Sequence, residues 1–254
     1  MADGVRLSRE FAMMKLRKLI LIQLFRAFCF GGVALGQTDG EPLVDKGLLN
    51  FLKVVEDADG HSNLRADASL EAEIVGKVLS GSPVFADPDI RSGFHLVYLD
   101  REDGHSERYL HGSRLKPVDH WKAVGPEGAT GRLSHKTFAV KVSTPAFDAT
   151  AHKITRNADG MVLVDGQIPW GEDGGEPSRG LSISLSIGGR KVEIPAAATD
   201  NLYEPNLETL VLLTPGDPAE RAFLMMQNSD GAGGYVVVWA FEKGAYRGRA
   251  IIMP

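Results

Sequence analysis

The sequence predicts an all-β protein, and three observations predict it. Glycine is abundant, at 29 of 254 residues, and glycine supplies the backbone geometry of tight turns. Long helix-favouring runs are scarce. Short apolar stretches recur between clusters of Gly, Asp, Asn and Pro, which is the spacing of strands joined by turns. Hydrophobic content of 43% and charged content of 24% are ordinary for a globular chain with room for one large or two modest domains.

The amino terminus predicts an export signal over residues 1–36. Lys15, Arg17 and Lys18 form a basic patch, apolar stretches follow over 19–25 and 27–33, and Ala34-Leu35-Gly36 ends the run with a small-x-small pattern. That order is the order of a secretory signal, with cleavage expected after Gly36 and translation starting as late as Met14. Gln23 and Arg26 interrupt the apolar region, so the competing expectation is an amphipathic segment that is never removed. The uninterrupted apolar run is far shorter than the roughly 20 residues of a spanning helix, so no transmembrane anchor is expected after signal removal. The context Arg26-Ala27-Phe28-Cys29 disfavours a lipid anchor. The expected location is secreted or periplasmic.

Charge and cysteine narrow the function classes. The first 36 residues carry net +4 of a chain whose formal total is −5, so the remainder is net −9. An acidic body of this kind excludes nucleic acid as the expected partner. Cys29 is the one cysteine and lies in the predicted leader. The mature chain would then have no disulfide, no cysteine metal site and no thiol nucleophile.

In the first half, residues 47–55 read as a strand. Asp57-Ala58-Asp59-Gly60 is a turn. Ser62 to Arg65, Ile74 to Leu79 and Val84 to Ala86 read as further strands, with Gly81-Ser82-Pro83 between the last two. Residues 94–99 alternate as a strand buried on both faces. Tyr109-Leu110-His111 and Ser113-Arg114-Leu115-Lys116-Pro117 close the set.

These pieces, in this order, resemble the bacterial SH3-like (SH3b) domain. Asn63, Leu64 and Arg65 match the family's Val-Asn-Val-Arg strand. Phe94 stands where the family commonly has tryptophan, and Tyr109 falls in its Gly-Tyr-Val-His segment. The Gly-Pro-Ser loop is replaced by Ala66-Asp67-Ala68-Ser69. The resemblance implies a small SH3-like barrel over 47–118, with Asn63, Arg65, Phe94, Tyr98 and Tyr109 as its core or groove. It also implies a non-catalytic habit of binding a cell-wall peptide, a peptidoglycan peptide above all, or an envelope protein. His61, His95, His105 and His111 have no helical ligand spacing and are expected to be hydrogen-bonded or solvated, with no metal.

Residues 119–134 are rich in Gly, Pro and polar residues and read as a linker, with Trp121 packing on either side. From 135 to 254 the pattern predicts a β-sandwich. Strands are expected over 137–142, 149–156, 161–164, 181–187, 191–194, 208–213, 221–227, 235–241 and 246–253. Asn157-Ala158-Asp159-Gly160, Gly188-Gly189 and Lys243-Gly244 are the hairpin turns. A single helical turn is expected within 195–202.

Three glycine-rich loops, at 170–177, 201–206 and 228–235, are the candidate site. Asp173, Glu176 and Asp230 carry ligand-type oxygens, joined by Asn228, and Trp170 and Tyr235 offer stacking faces. Calcium or carbohydrate would suit such a set. Against it, the acidic residues lack the spacing of a calcium loop, and Gly/Asp clusters between strands are turn chemistry first. Residues 231–234 are followed by a strand and carry no Gly-Lys-Ser/Thr, so they are no phosphate loop. No serine-hydrolase elbow or His-Glu-x-x-His occurs, so no catalytic residue and no cofactor is assigned.

The leading expectation is an exported, non-enzymatic envelope protein joining the SH3b-like module to the sandwich. One alternative is a β-sandwich hydrolase acting on cell wall or carbohydrate, with Asp173, Glu176, Glu204 and Asp230 as its carboxylates and the barrel as its targeting module. The other is a secreted scaffold or inhibitor that binds a protein.

Overall fold

The computed structural model describes residues 45–98, 108–228 and 233–253. The predicted signal, Cys29, His105 and Asp230 lie outside the described residues. The fold is all-β, as the sequence predicts, in three principal sheets and a small hairpin.

The chain enters through α1 (Lys46–Phe51), where the sequence pattern had suggested the start of a strand. Asp45 explains the difference. Its carboxylate accepts a hydrogen bond from the Gly47 N–H at 2.7 Å and satisfies a donor that a helix start leaves free. Leu49 then turns inward, and β1 (Leu52–Val55) begins directly.

The first sheet adds β2 (His61–Arg65), β3 (Ile74–Leu79), β4 (Pro83–Arg91), β5 (Phe94–Tyr98), β6 (Arg108–His111) and β7 (Leu115–Pro117). Its strand order is β3-β2-β6-β5-β4-β1-β7. Val55, Leu64, Val84, Ala86, Val97, Leu110 and Leu115 meet in one small core, with Val75 and Val78 of β3 against it. The strands thus surround a common cluster, but the sheet is open and not a closed barrel. β7 is three residues long and ends on Pro117, which has no N–H to extend a ladder.

The segment 119–134 is structured and is no free linker. Trp121 is buried, its ring 4.9 Å from that of Phe223. β8 (Lys122–Val124) pairs with β15 (Val211–Thr214), and β9 (Arg132–His135) pairs with β10 (Phe138–Ser143). The outer sheet of the sandwich runs β14-β13-β10-β9, with β13 at Ser182–Ile187 and β14 at Arg190–Lys191. The middle sheet runs β18-β17-β16-β15-β8, with β16 at Arg221–Asn228, β17 at Tyr235–Glu242 and β18 at Ala245–Ile252. β11 (Ile154–Arg156) and β12 (Val162–Val164) form the small hairpin. The expected turns occur at Asn157–Gly160, Gly188-Gly189 and Lys243-Gly244, where Gly160, both residues of Gly188-Gly189 and both of Lys243-Gly244 have positive φ. The helical turn expected within 195–202 is the 3-10 turn Ala196–Ala198.

The middle sheet is buried on both faces. Tyr235, Val237, Trp239 and Phe241 of β17 point toward the outer sheet and pack with Phe138, Val140, Leu185 and Ile187. Val236, Val238 and Ala240 point the other way and pack with Leu49, Leu52, Val54 and Phe85 of the first part. Alternate residues of one strand therefore belong to two cores. Arg221 reinforces this junction by donating to both Glu56 of the first part and Glu242 at the end of β17. Residues 45–253 fall within one compact unit, so the first part is no tethered module.

Candidate functional site

The first two glycine-rich loops and the described ends of the third, Asn228 and Gly233, come together beside the sandwich. Trp170 brackets the second loop: its N–H donates to the Asn201 carbonyl at 2.9 Å, and its carbonyl accepts from the Tyr203 N–H at 3.0 Å. Gly180 bridges Tyr203, and the Glu204 N–H donates to the Arg179 carbonyl at 3.1 Å. The third loop arrives through Gly233, whose carbonyl accepts from the Gly171 N–H at 3.0 Å. On the other side, Asn228 accepts from the Asn206 N–H at 2.9 Å. The β11–β12 hairpin supports the assembly from behind, where Val162 and Val164 pack on Tyr203.

Two glycines make the convergence sterically possible. Gly171 has φ +102°, and a Cβ there would stand 2.4 Å from the Tyr203 carbonyl oxygen. A Cβ on Gly233 would stand 2.6 Å from the Glu172 carbonyl oxygen. Both positions let backbone approach backbone closely, a role only glycine fills.

The segments 171–179 and 204–208, with Ala129 and Thr144, line a polar cleft of about 660 Å³. Glu172, Asp173, Ser178, Arg179, Glu204 and Glu208 supply its functional side chains. Glu204 is its best-anchored group. At φ +48° its carboxylate reaches back to the preceding loop. One oxygen accepts from the Ser178 N–H and Oγ, each at 2.8 Å, and from the Arg179 N–H at 2.9 Å. The other accepts from Arg179 Nε at 2.9 Å and pairs with its Nη2 at 2.9 Å. Burial pushes the Glu204 carboxyl up, but the Ser178 and Arg179 bonds together outweigh it and hold the group below its ordinary value.

Glu172 lies beside this clasp and behaves in the opposite way. Burial raises its carboxyl, as do the Glu204 charge, a hydrogen bond shared with Glu204 and the nearby Asp173 charge.

The candidates from the sequence fall into different roles. Asp173 lines the cleft and is exposed. Glu176 is exposed and is not part of the lining. Trp170 is half-buried, with its ring 6.1 Å from Tyr235. Tyr235 is fully buried and donates its hydroxyl to the Tyr203 carbonyl at 3.0 Å, so it offers no stacking face to a ligand. Burial raises the Tyr235 hydroxyl far above the ordinary tyrosine range and pushes Tyr203 up to about 12. Both phenols stay neutral at physiological pH.

In the first part, the groove candidates are largely occupied by packing. Phe94 is buried edge-on against His111, with ring centroids 5.0 Å apart. Arg65 pairs with Tyr109 across β2 and β6 and donates to the Ala72 carbonyl at 2.7 Å. Asn63 pairs with Lys77, and Tyr98 packs against the core shared with the middle sheet. His61, His95 and His111 each lie within hydrogen-bonding distance of Asp59, Asp87 and Ser113 respectively. Among the described residues, no three His, Cys, Asp or Glu side chains gather as a metal site.

The sequence reading missed Glu172, Ser178 and Arg179. Glu172 lay within a named loop and could have been included. Nothing local signals that Ser178 and Arg179 will clasp a carboxylate from the loop at 201–206, because that contact is set by tertiary pairing. Compared with protein-family models, curated proteins and solved structures, the chain matches none.

Proposed function

We propose that this chain is an exported, non-enzymatic envelope protein that binds a cell-wall peptide or a protein segment in the cleft lined by the loops at 171–179 and 204–208. The observation that carries this reading is the convergence itself. Separate loops build one polar concavity whose exposed groups, Asp173 and Glu208, face solvent beside the Arg179–Glu204 clasp. Concave surfaces with a few placed polar groups are the usual form of a binding site. A peptide carrying both amine and carboxylate groups suits such mixed charge. The basic, apolar and small-residue order of residues 15–36 supports export.

The hydrolase alternative asks Glu204 to act as a free acid or base. Its carboxylate is already engaged by Ser178 and Arg179, and Glu176 stands outside the cleft lining. Those positions favour a structural role for Glu204. The SH3b-like part then serves as a packed companion of the sandwich, and its aromatic candidates contribute to the core.

Co-sedimentation with purified peptidoglycan sacculi tests the proposal. The wild-type protein is expected to be enriched over an unrelated acidic protein. The double variant Asp173→Ala/Glu208→Ala should bind about tenfold more weakly, the size of one or two lost charged hydrogen bonds. Wild-type binding equal to the unrelated protein removes the wall-peptide reading. Deleting residues 47–118 is no substitute control, because it would strip one face of the middle sheet.

A further inference from the structure

Ser178 and Arg179 concentrate hydrogen-bond donors on one wall of the cleft. The Ser178 N–H, the Ser178 hydroxyl and the Arg179 N–H donate to one Glu204 carboxylate oxygen, at 2.8, 2.8 and 2.9 Å. Arg179 Nε donates to the other oxygen at 2.9 Å, and Nη2 pairs with it at 2.9 Å. Two consecutive backbone N–H groups beside a planar guanidinium make a carboxylate receptor. The guanidinium fork meets the carboxylate in its plane, and the amides fix its position.

The group held there is the chain's own side chain, and it is not placed like a buried structural pair. Ser178 and Arg179 are exposed, the Arg179 side chain at 54%. Glu204 reaches them from a backbone with φ +48°, a left-handed conformation that residues other than glycine rarely adopt. Ser178, Arg179 and Glu204 all line the cleft, whose volume of about 660 Å³ is that of a small-molecule site.

Charge decides what can take the place of Glu204. Among the described residues lining the cleft, Arg179 is the one cation, against Glu172, Asp173, Glu204 and Glu208. A ligand with a carboxylate alone would add a negative charge to this set. A ligand that also carries an ammonium group adds none. Its carboxylate takes the Arg179 fork, and the released Glu204 carboxylate meets its ammonium. One ion pair becomes two, and every charge is matched.

We propose that the Ser178–Arg179 receptor binds the carboxylate of a zwitterionic ligand, an α-amino acid or a dipeptide, and that Glu204 is the displaceable placeholder of that carboxylate. This rests on the cleft being a binding site and names the groups it recognises. Until a ligand arrives, Glu204 keeps the receptor donors satisfied and ties the segment 171–179 to the loop at 204–208. In the complex the ligand carboxylate accepts those hydrogen bonds instead.

Chemical-shift titration of the full protein with L-alanyl-L-alanine, followed at the Ser178, Arg179 and Glu204 amides, tests the exchange. The free dipeptide at millimolar concentration is expected to shift all three. Its C-terminal amide lacks the carboxylate and its N-acetyl form lacks the ammonium, so each should bind about tenfold more weakly, the effect of one lost charged pair. Glu204→Gln separates a placeholder from a fixed brace. A neutral amide competes less well for Arg179 and can itself donate to an incoming carboxylate. The N-acetyl dipeptide should therefore bind Glu204→Gln about tenfold more tightly than it binds the wild type. Arg179→Ala should abolish the response. The wild-type titration needs no variant, so it decides the matter even where a variant does not fold. Equal binding of the three probes to the wild type, or no shift at Ser178 and Arg179, would overturn the proposal. So would a folded Glu204→Gln that binds the N-acetyl dipeptide no better than the wild type does. None of these outcomes touches the sacculi result, and failure to sediment with sacculi would leave the exchange intact.

Discussion

Strands β13 and β17 belong to the same sandwich and are written in opposite ways. β13 reads Ser-Ile-Ser-Leu-Ser-Ile, with Leu185 and Ile187 buried and Ser182 and Ser184 exposed. β17 reads Tyr-Val-Val-Val-Trp-Ala-Phe-Glu, buried at every position but the last. The difference is the number of covered faces. β13 covers one core and shows its other face to water, so apolar residues recur with period two. β17 lies between two cores and needs an apolar side chain at each position. The continuous run at 235–241 was therefore more than a strand signal. It announced a second packing partner, which the structure identifies as the first part of the chain.

Substitutions along these strands can break that comparison. The largest effect is expected at Trp239, fully buried with its Nε1 donating to the Ala198 carbonyl at 2.6 Å. Trp239→Ala should cost about 3–5 kcal/mol in urea unfolding, through the cavity and the orphaned carbonyl. Leu213 tests the opposite face of the same sheet, in the core shared with Leu52 and Phe85. Leu213→Ala should cost about 2–5 kcal/mol and shift a single transition seen equally by fluorescence and circular dichroism. Two separate transitions would mean that the first part folds independently and that the shared core is energetically minor.

Gly171→Ala comes next. It forces a Cβ against the Tyr203 carbonyl at a positive φ, so a loss of about 1–3 kcal/mol is expected, with the largest exchange changes in 170–180. A silent Gly171→Ala would show that the loops need no close backbone contact. Smallest of all, Ser184→Ala on the exposed face of β13 should stay within about 0.5 kcal/mol of wild type. A large cost there would mean that the outer face of the sandwich is covered in solution.

Local pattern made much of the sandwich legible. Hairpin turns at Gly188-Gly189 and Lys243-Gly244, and the strands they join, follow from residues only a few positions apart. The first described element was harder. Leu48 to Val55 is apolar enough for a strand, and only the Asp45 cap converts its first turn to helix. The segment 119–134 was misread because Gly and Pro content reflects turns, and turns also occur between strands as short as β8 and β9. Tyr235 was misassigned for a related reason. A tyrosine beside a glycine-rich loop can face outward or inward, and here its hydroxyl finds the Tyr203 carbonyl inside.

Sequence alone determined the all-β class, the hairpin turns and many of the strands, because these depend on side-chain periodicity and on the backbone freedom of glycine over short spans. It also brought the three loops forward as the place to look. Only the tertiary structure decided that they meet and that Glu204 is clasped by Ser178 and Arg179. That clasp joins Arg179 and Glu204, 25 positions apart, and no local rule reaches across that distance. The same holds for the first part of the chain. Phe85 and Leu52 of that part are buried in a core shared with the middle sheet.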